Sequence, residues 1–146
     1  MTQQPSAEKK FRVRVKKISQ SQAVVEAHGQ EIVLSTQGSD SNAGITAPET
    51  VLAAFGTCIV SNINKAAAQE GAAIDDVAVE FEAKKRLDPL GLDGVRYVVT
   101  IESSAPADQL RRIYEKATLN GTATNALREG ISAEGKLVLG KMNGGK

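Results

Sequence analysis

The chain has 146 residues and a formal net charge of +1, with 41% hydrophobic and 24% charged residues. That is the composition of one globular domain, 1–146, and so near-neutral a charge excludes the broad basic field by which a protein attracts nucleic acid or an anionic membrane. Aromatic residues are scarce: Trp is absent, Tyr stands at 97 and 114, and Phe at 11, 55 and 81. They form no stacking platform for bases, and no nucleic-acid partner is expected. Cys58 is the single cysteine, which rules out a disulfide within the chain. The N-terminal stretch MTQQPSAEKK is polar where a secretory signal would be apolar, so a reducing cytoplasm is the expected location. The most apolar stretch is interrupted by Ser61, Asn62, Asn64 and Lys65, short of the ~18 to 20 apolar residues of a membrane span; no membrane association is expected.

In chain order, FRVRVKK at 11–17 alternates apolar and basic residues. That pattern predicts a strand with Phe11, Val13 and Val15 on one face and Arg12, Arg14 and Lys16 solvated on the other. AVVEAH and EIVLST follow, divided at His28-Gly29-Gln30, and predict a tight hairpin. His28 beside that turn is read as a solvated residue. Residues 36–44, TQGSDSNAG, form a loop by composition. The T-x-x-E pattern of Thr46-Ala-Pro-Glu49 then marks a capping box, with Pro48 in the first turn where no helical N–H is needed. The helix it opens is expected to reach about Gln69 and stop at Gly71.

IDDVAVEFEAKKRL and VRYVVTIE alternate on either side of the turn-rich LDPLGLDG and predict a long antiparallel hairpin. A second helix is expected after Ser103–Asp108, with Leu110, Ile113, Tyr114 and Ala117 at core spacing. It breaks at Asn120-Gly121 and is followed by a short helical piece, TNALREG, and a closing strand, GKLVLGK. The termini, 1–8 and 142–146, are expected to be flexible. Strands and helices in this order define an antiparallel α+β fold.

The helix carrying Cys58 has Val51, Ala54, Phe55, Ser61, Asn62 and Lys65 on the same face as the thiol, while Leu52, Ile59, Ile63 and Ala66 make the opposite side apolar too. Such a helix needs cover nearly all round, which predicts a homodimer with this helix near the interface. Apolar surroundings raise a thiol's pKa, and Cys58 lies about three turns from the start of its own helix, beyond the reach of that helix's dipole. A nucleophilic Cys58 therefore requires a guanidinium or another donor from elsewhere in the fold. Without one, it is a small buried hydrophobe. Glu49 is the obvious acidic partner, but nine residues along a straight helix mean ~180° of rotation and a rise near 13 Å. The capping box already accounts for this glutamate.

The stretch P-E-x-V-L-A-A-F-G-T-C, Pro48 to Cys58, on a long helix after a Gly-rich loop and short strands, resembles the osmotically inducible and organic hydroperoxide resistance proteins, the OsmC/Ohr family. The stretch GTATNAL, 121–127, resembles the family's second motif. The resemblance implies an intertwined homodimer, each subunit having a strongly bent antiparallel sheet and two principal helices, with active sites at the subunit interface. It implies Cys58 as the peroxide-attacking thiol and Glu49 as the acid that orients an activating group, with no cofactor and no metal. The expected activity is that of a one-cysteine, thiol-dependent peroxidase acting on organic hydroperoxides with an external thiol or dithiol as reductant. The alternative is a non-catalytic relative that binds a small hydrophobic ligand at the dimer interface. Three departures bear on the choice. The family's resolving cysteine is replaced by Gly121, and its catalytic glutamate would fall at Pro48, one residue before Glu49. The loop that would bring an activating arginine contains none, leaving Arg12, Arg14, Arg86, Arg96 and Arg128 as candidates.

Overall fold

A computed structural model describes residues 9–40 and 42–142; the expected flexibility of 1–8 and the last four residues lies outside them. The element order is β1 (Arg14–Lys17), β2 (Gln22–Ala27), β3 (Gln30–Ser35), α1 (Ala47–Glu70), β4 (Asp76–Leu87), β5 (Leu90–Glu102), α2 (Ala107–Leu119) and α3 (Thr122–Glu129). The fold is α+β, with an antiparallel sheet ordered β1-β2-β3 and a hairpin sheet β4-β5. Contacts group the chain into two units. One comprises the chain up to Gly56 together with Glu80–Val98, and the other Thr57–Val79 together with the chain from Val99 onward.

In the first unit, β2 and β3 pair from Gln22↔Ser35 to Ala27↔Gln30. The turn between them places both His28 (φ 39°) and Gly29 (φ 82°) in the left-handed region, which is the backbone of a tight hairpin turn. The register sets Val15, Val25 and Ile32 in one row across the three strands. This apolar face is not fully covered within the chain: Val15 is 64% and Ile32 55% exposed, and Arg14 and Lys16 are the half-buried residues of β1. That reverses the expectation for β1, whose basic face was to be the solvated one, and the strand is also shorter than the alternation from Phe11 suggested. At the far end of this unit's share of α1, an added Cβ on Gly56 would lie 2.9 Å from Phe81 Cε2. Glycine costs a helix about 1 kcal/mol relative to alanine, and here it lets the Phe81 ring close in. Phe81 joins Phe55 and Tyr97 in a three-ring cluster with centroids 5.4–5.5 Å apart.

In the second unit, α1 contributes Ile59, Ile63, Ala66 and Ala67 to the core, and α2 contributes Ile113 and Ala117. Each buried isoleucine is worth about 1.5–3 kcal/mol relative to exposure. The two helices run antiparallel. Glu70 at the end of α1 accepts from Gln109 Nε2 through its carbonyl and pairs with Arg112 and Lys116, while Asn62, two turns earlier, reaches the far end of α2. Gly71 stops α1 with φ 67°, as the sequence predicted.

By length and composition α1 does pass as a membrane span, contrary to the expectation drawn from its polar interruptions. Its run of buried Ile59, Ile63, Ala66 and Ala67 is that of a core helix. The predicted closing strand does not form: GKLVLGK carries no strand pairing, and Leu137, Val138 and Leu139 are 81%, 76% and 84% exposed. An alternating segment becomes a strand only against a neighbour that takes its hydrogen bonds.

Candidate active site

Glu49 and Cys58 sit on α1 in separate settings. Glu49 closes the capping box: its Oε1 accepts from the Thr46 N–H at 2.9 Å and from the Thr46 hydroxyl at 2.8 Å. The Glu49 N–H donates back to Thr46 Oγ1 at 3.4 Å. The Thr46 N–H first, and its hydroxyl second, hold the Glu49 carboxyl below the usual carboxylate range against a small opposing effect of burial. Thr46 itself is buried. The side chain of Glu49 is thus engaged by Thr46, whereas Cys58 is engaged by residues of α1 and α3 within the second unit.

The surroundings of the thiol are built from the break between the last two helices. α2 ends at Leu119, Asn120 leaves the helix with extended backbone, and Gly121 is the residue from which α3 starts. This turn is fastened to α1 by Asn62, whose Nδ2 donates to the Asn120 carbonyl at 2.8 Å and more loosely to that of Ala117 at 3.4 Å. Asn62 lies one turn past Cys58, and the same nitrogen stands 3.7 Å from Sγ. The arrangement brings the start of α3 beside the sulfur, and the N–H groups of Ala123 and Thr124 favour its thiolate. In a helix these early N–H groups have no acceptor within the helix and carry the positive end of its dipole.

Burial is the largest single influence on the thiol and pushes its pKa up. The Thr124 hydroxyl, the Thr124 and Ala123 N–H groups and the Asn62 amide together outweigh it, and the net shift is downward. The groups that favour the thiolate come from the start of α3 and from Asn62, not from the N-terminus of the helix that carries the cysteine. Among the described residues no cation contributes to the shift. Of the arginine candidates, Arg128 donates to the carbonyls of Thr118 and Leu119 at the end of α2, and Arg86 to that of Pro89 beside Asp93.

Thr124 is wholly buried, and its Oγ1 makes no regular hydrogen bond; it acts on the resting sulfur as a nearby dipole. Gly121 has φ 179°, a backbone any residue can adopt, so glycine is not required there by conformation. A side chain there would crowd the thiol and its neighbours. An added Cβ would lie 2.5 Å from Cys58 Sγ, 2.7 Å from Asn62 Nδ2 and 3.4 Å from Thr124 Oγ1. Sequence reasoning drew attention to Gly121 and the stretch 121–127 only by resemblance, and it gave Ala123 and Thr124 no role of their own. The signal for Asn62 was its place on the thiol's own helical face. Among the described residues no cluster of three or more His, Cys, Asp or Glu side chains is gathered to hold a metal ion.

A thiol on a long helix, met by the N-terminus of a short helix in an α+β domain, defines a thiol-bearing domain of known type. The family model of the OsmC-like protein matches residues 38–135, and the chain belongs to the OsmC family. Its fold is similar to that of an OsmC-like protein from Mycoplasma pneumoniae, with a TM-score of 0.75 at 15% identity over 84% of this chain and 90% of that one. It is also similar to an organic hydroperoxide resistance protein OsmC from Legionella pneumophila, with a TM-score of 0.64 at 18% identity over 84% and 92% of the two chains. The organic hydroperoxide resistance protein OhrB of Bacillus subtilis superposes with a TM-score of 0.60 at 14% identity over 83% and 92%. No curated protein matches the chain by sequence.

Proposed function

We propose that this protein is a one-cysteine, thiol-dependent peroxidase for organic hydroperoxides, serving oxidative-stress defence in a reducing cytoplasm. The observation that carries the reading is the placement of the start of α3 and of Asn62 beside Cys58 Sγ, where uncharged donors favour the thiolate. A thiolate is the form that attacks peroxide oxygen. Attack forms the S–O bond as the O–O bond breaks. The alkoxide leaves and takes a proton to become the alcohol, and the sulfur, oxidised by two electrons, becomes a sulfenic acid. With Cys58 the single cysteine, an external thiol must condense with the sulfenic acid, releasing water and leaving a mixed disulfide. A second thiol then displaces the Cys58 thiolate. In this reading Glu49 keeps its capping role and positions the start of α1.

The chain works as a homodimer. Support comes from the uncovered apolar row Val15–Val25–Ile32 of the first unit and, separately, from the exposed aliphatics of the C-terminal stretch; unpaired apolar surface of this kind marks interfaces.

The experiment is consumption of cumene hydroperoxide with dithiothreitol as reductant, comparing wild type with Cys58→Ser. Turnover that disappears in the variant supports the reading. Equal, background-level consumption by both proteins overturns it in favour of a ligand-binding relative.

A further inference from the structure

The net charge of +1 conceals an uneven distribution. Six of the chain's 18 Lys and Arg residues fall within KKFRVRVKK, 9–17, which holds none of its 17 Asp and Glu residues, so the remainder is formally −5 (12 against 17). Arg14 stands across from Glu26 in the β1–β2 register, and Arg14 and Lys16 are half-buried. Lys9, Lys10, Arg12 and Lys17 are exposed, and none of the four makes an ion pair among the described residues. Between these cations Phe11 is 70%, Val13 63% and Ile18 51% exposed. The Lys9 ammonium lies 5.3 Å from the centroid of the Phe11 ring, and Lys17 shares the β1 face of Val15, so a cation stands at each end of the apolar set. Charges on an edge strand keep sheets from pairing with one another, which accounts for the lysines and arginines. It does not account for a phenyl ring, a valine and an isoleucine left uncovered beside them.

We propose that residues 9–18 dock on an anionic phospholipid surface, with Phe11, Val13 and Ile18 at the boundary of headgroups and acyl chains and the four exposed cations at the lipid phosphates. Lys and Arg stems are long enough to lie along embedded apolar neighbours while their charges stay at the headgroups, so both kinds of side chain are satisfied at once. The attraction is local and does not need a basic molecule, because a charged surface acts only within about a Debye length. Two other occupants match the segment less well. Nucleic acid would use the cations but gains nothing from Val13 and Ile18, and one phenyl ring makes no stacking platform. A second copy paired to this segment about a two-fold axis sets cations against cations; Val15, in the row given to the dimer, is left out of the docking set. The inference goes beyond the peroxidase reading and does not depend on it, although docking brings the protein to where apolar hydroperoxides partition.

The test is co-sedimentation of the full chain with mixed phosphatidylcholine–phosphatidylglycerol vesicles and with phosphatidylcholine vesicles alone, at low and at high salt. Binding to the mixed vesicles only, weakening as salt screens the charges, is expected. Each cation near such a surface is worth roughly fivefold in affinity, so Lys9→Gln, Lys10→Gln and Arg12→Gln together should weaken binding about a hundredfold. Phe11→Ser should weaken it about tenfold by removing the embedded ring. These residues are exposed and precede β1, so the substitutions leave the buried core untouched. The chain has no Trp, and Phe11→Trp therefore adds a single reporter whose emission should shift to the blue on mixed vesicles. Failure to bind mixed vesicles at low salt overturns the proposal. Binding that survives Phe11→Ser but not the triple substitution, and is matched on heparin, overturns it in favour of a general polyanion site. Binding indifferent to both variants, or an emission that does not move, puts the contact elsewhere and overturns it as well.

Discussion

Replacing Gly121 by cysteine should convert this one-cysteine protein into one with an internal disulfide. The backbone at 121 has φ 179° and ψ 149°, so a side chain can be added without conformational strain. The new Cβ would lie 2.5 Å from Cys58 Sγ. In a relaxed disulfide the corresponding distance is roughly 3 Å, from the ~2.05 Å S–S bond and ordinary bond angles. A shift of about half an ångström is therefore needed, which the turn between α2 and α3 can supply. The bridge closes a loop of 121 − 58 = 63 residues, for which the loss of denatured-state entropy amounts to about 4 kcal/mol before any strain is subtracted. The assay is a count of free thiols in the folded, air-oxidised variant, together with urea denaturation with and without reductant. Loss of both thiols and a denaturation midpoint that drops on reduction are expected. Two freely titrating thiols in the oxidised protein would show that the 121 backbone does not approach the sulfur as described.

Three further outcomes follow from the same geometry. Thr124→Val removes a hydroxyl that favours the thiolate, so the pH profile of Cys58 alkylation should move to higher pH, while Thr124→Ser leaves it near wild type; a profile that does not move contradicts the assignment. Thr46→Ala opens the capping box at α1 and should cost about 1 kcal/mol in urea denaturation near neutral pH. Because the folded-state pKa of Glu49 is depressed, its contribution is present above the unfolded carboxylate pKa and is lost as pH falls through the folded value; the gap between wild type and Glu49→Gln should therefore close in acid. Ile63→Ala empties a fully buried position of α1 and should cost about 2–5 kcal/mol, read as a lower denaturation midpoint.

Much of the fold was legible because its signals are local. Thr46 and Glu49 at one end and Gly71 at the other bound α1 to within a residue of Ala47–Glu70, and the alternation through Val77, Val79 and Phe81 gave β4. The hairpin turn was narrower than LDPLGLDG suggested, since β5 already begins at Leu90. Where alternation misled, the missing ingredient was a partner: Val15 has its apolar side exposed, and Leu137–Leu139 pairs with no strand among the described residues. The thiol's setting was legible only in part. Residues near Cys58 on its own helix could be found by counting, and Asn62 was among them. The donors at Ala123 and Thr124 come from a helix start far along the chain, and periodicity cannot report which helix end meets which side chain. Looking for an arginine also directed attention to charged residues, when the stabilising groups proved to be uncharged: two backbone N–H groups, a hydroxyl and an amide.

The most direct measurement is the apparent pKa of Cys58, from the pH dependence of its alkylation by iodoacetamide in the native protein. A value below the ~8.5 of a free cysteine is expected, because the start of α3 stabilises the thiolate more than burial opposes it. A value at or above that of a free thiol would mean that the α3 N–H groups do not reach the sulfur, and would contradict an activated Cys58.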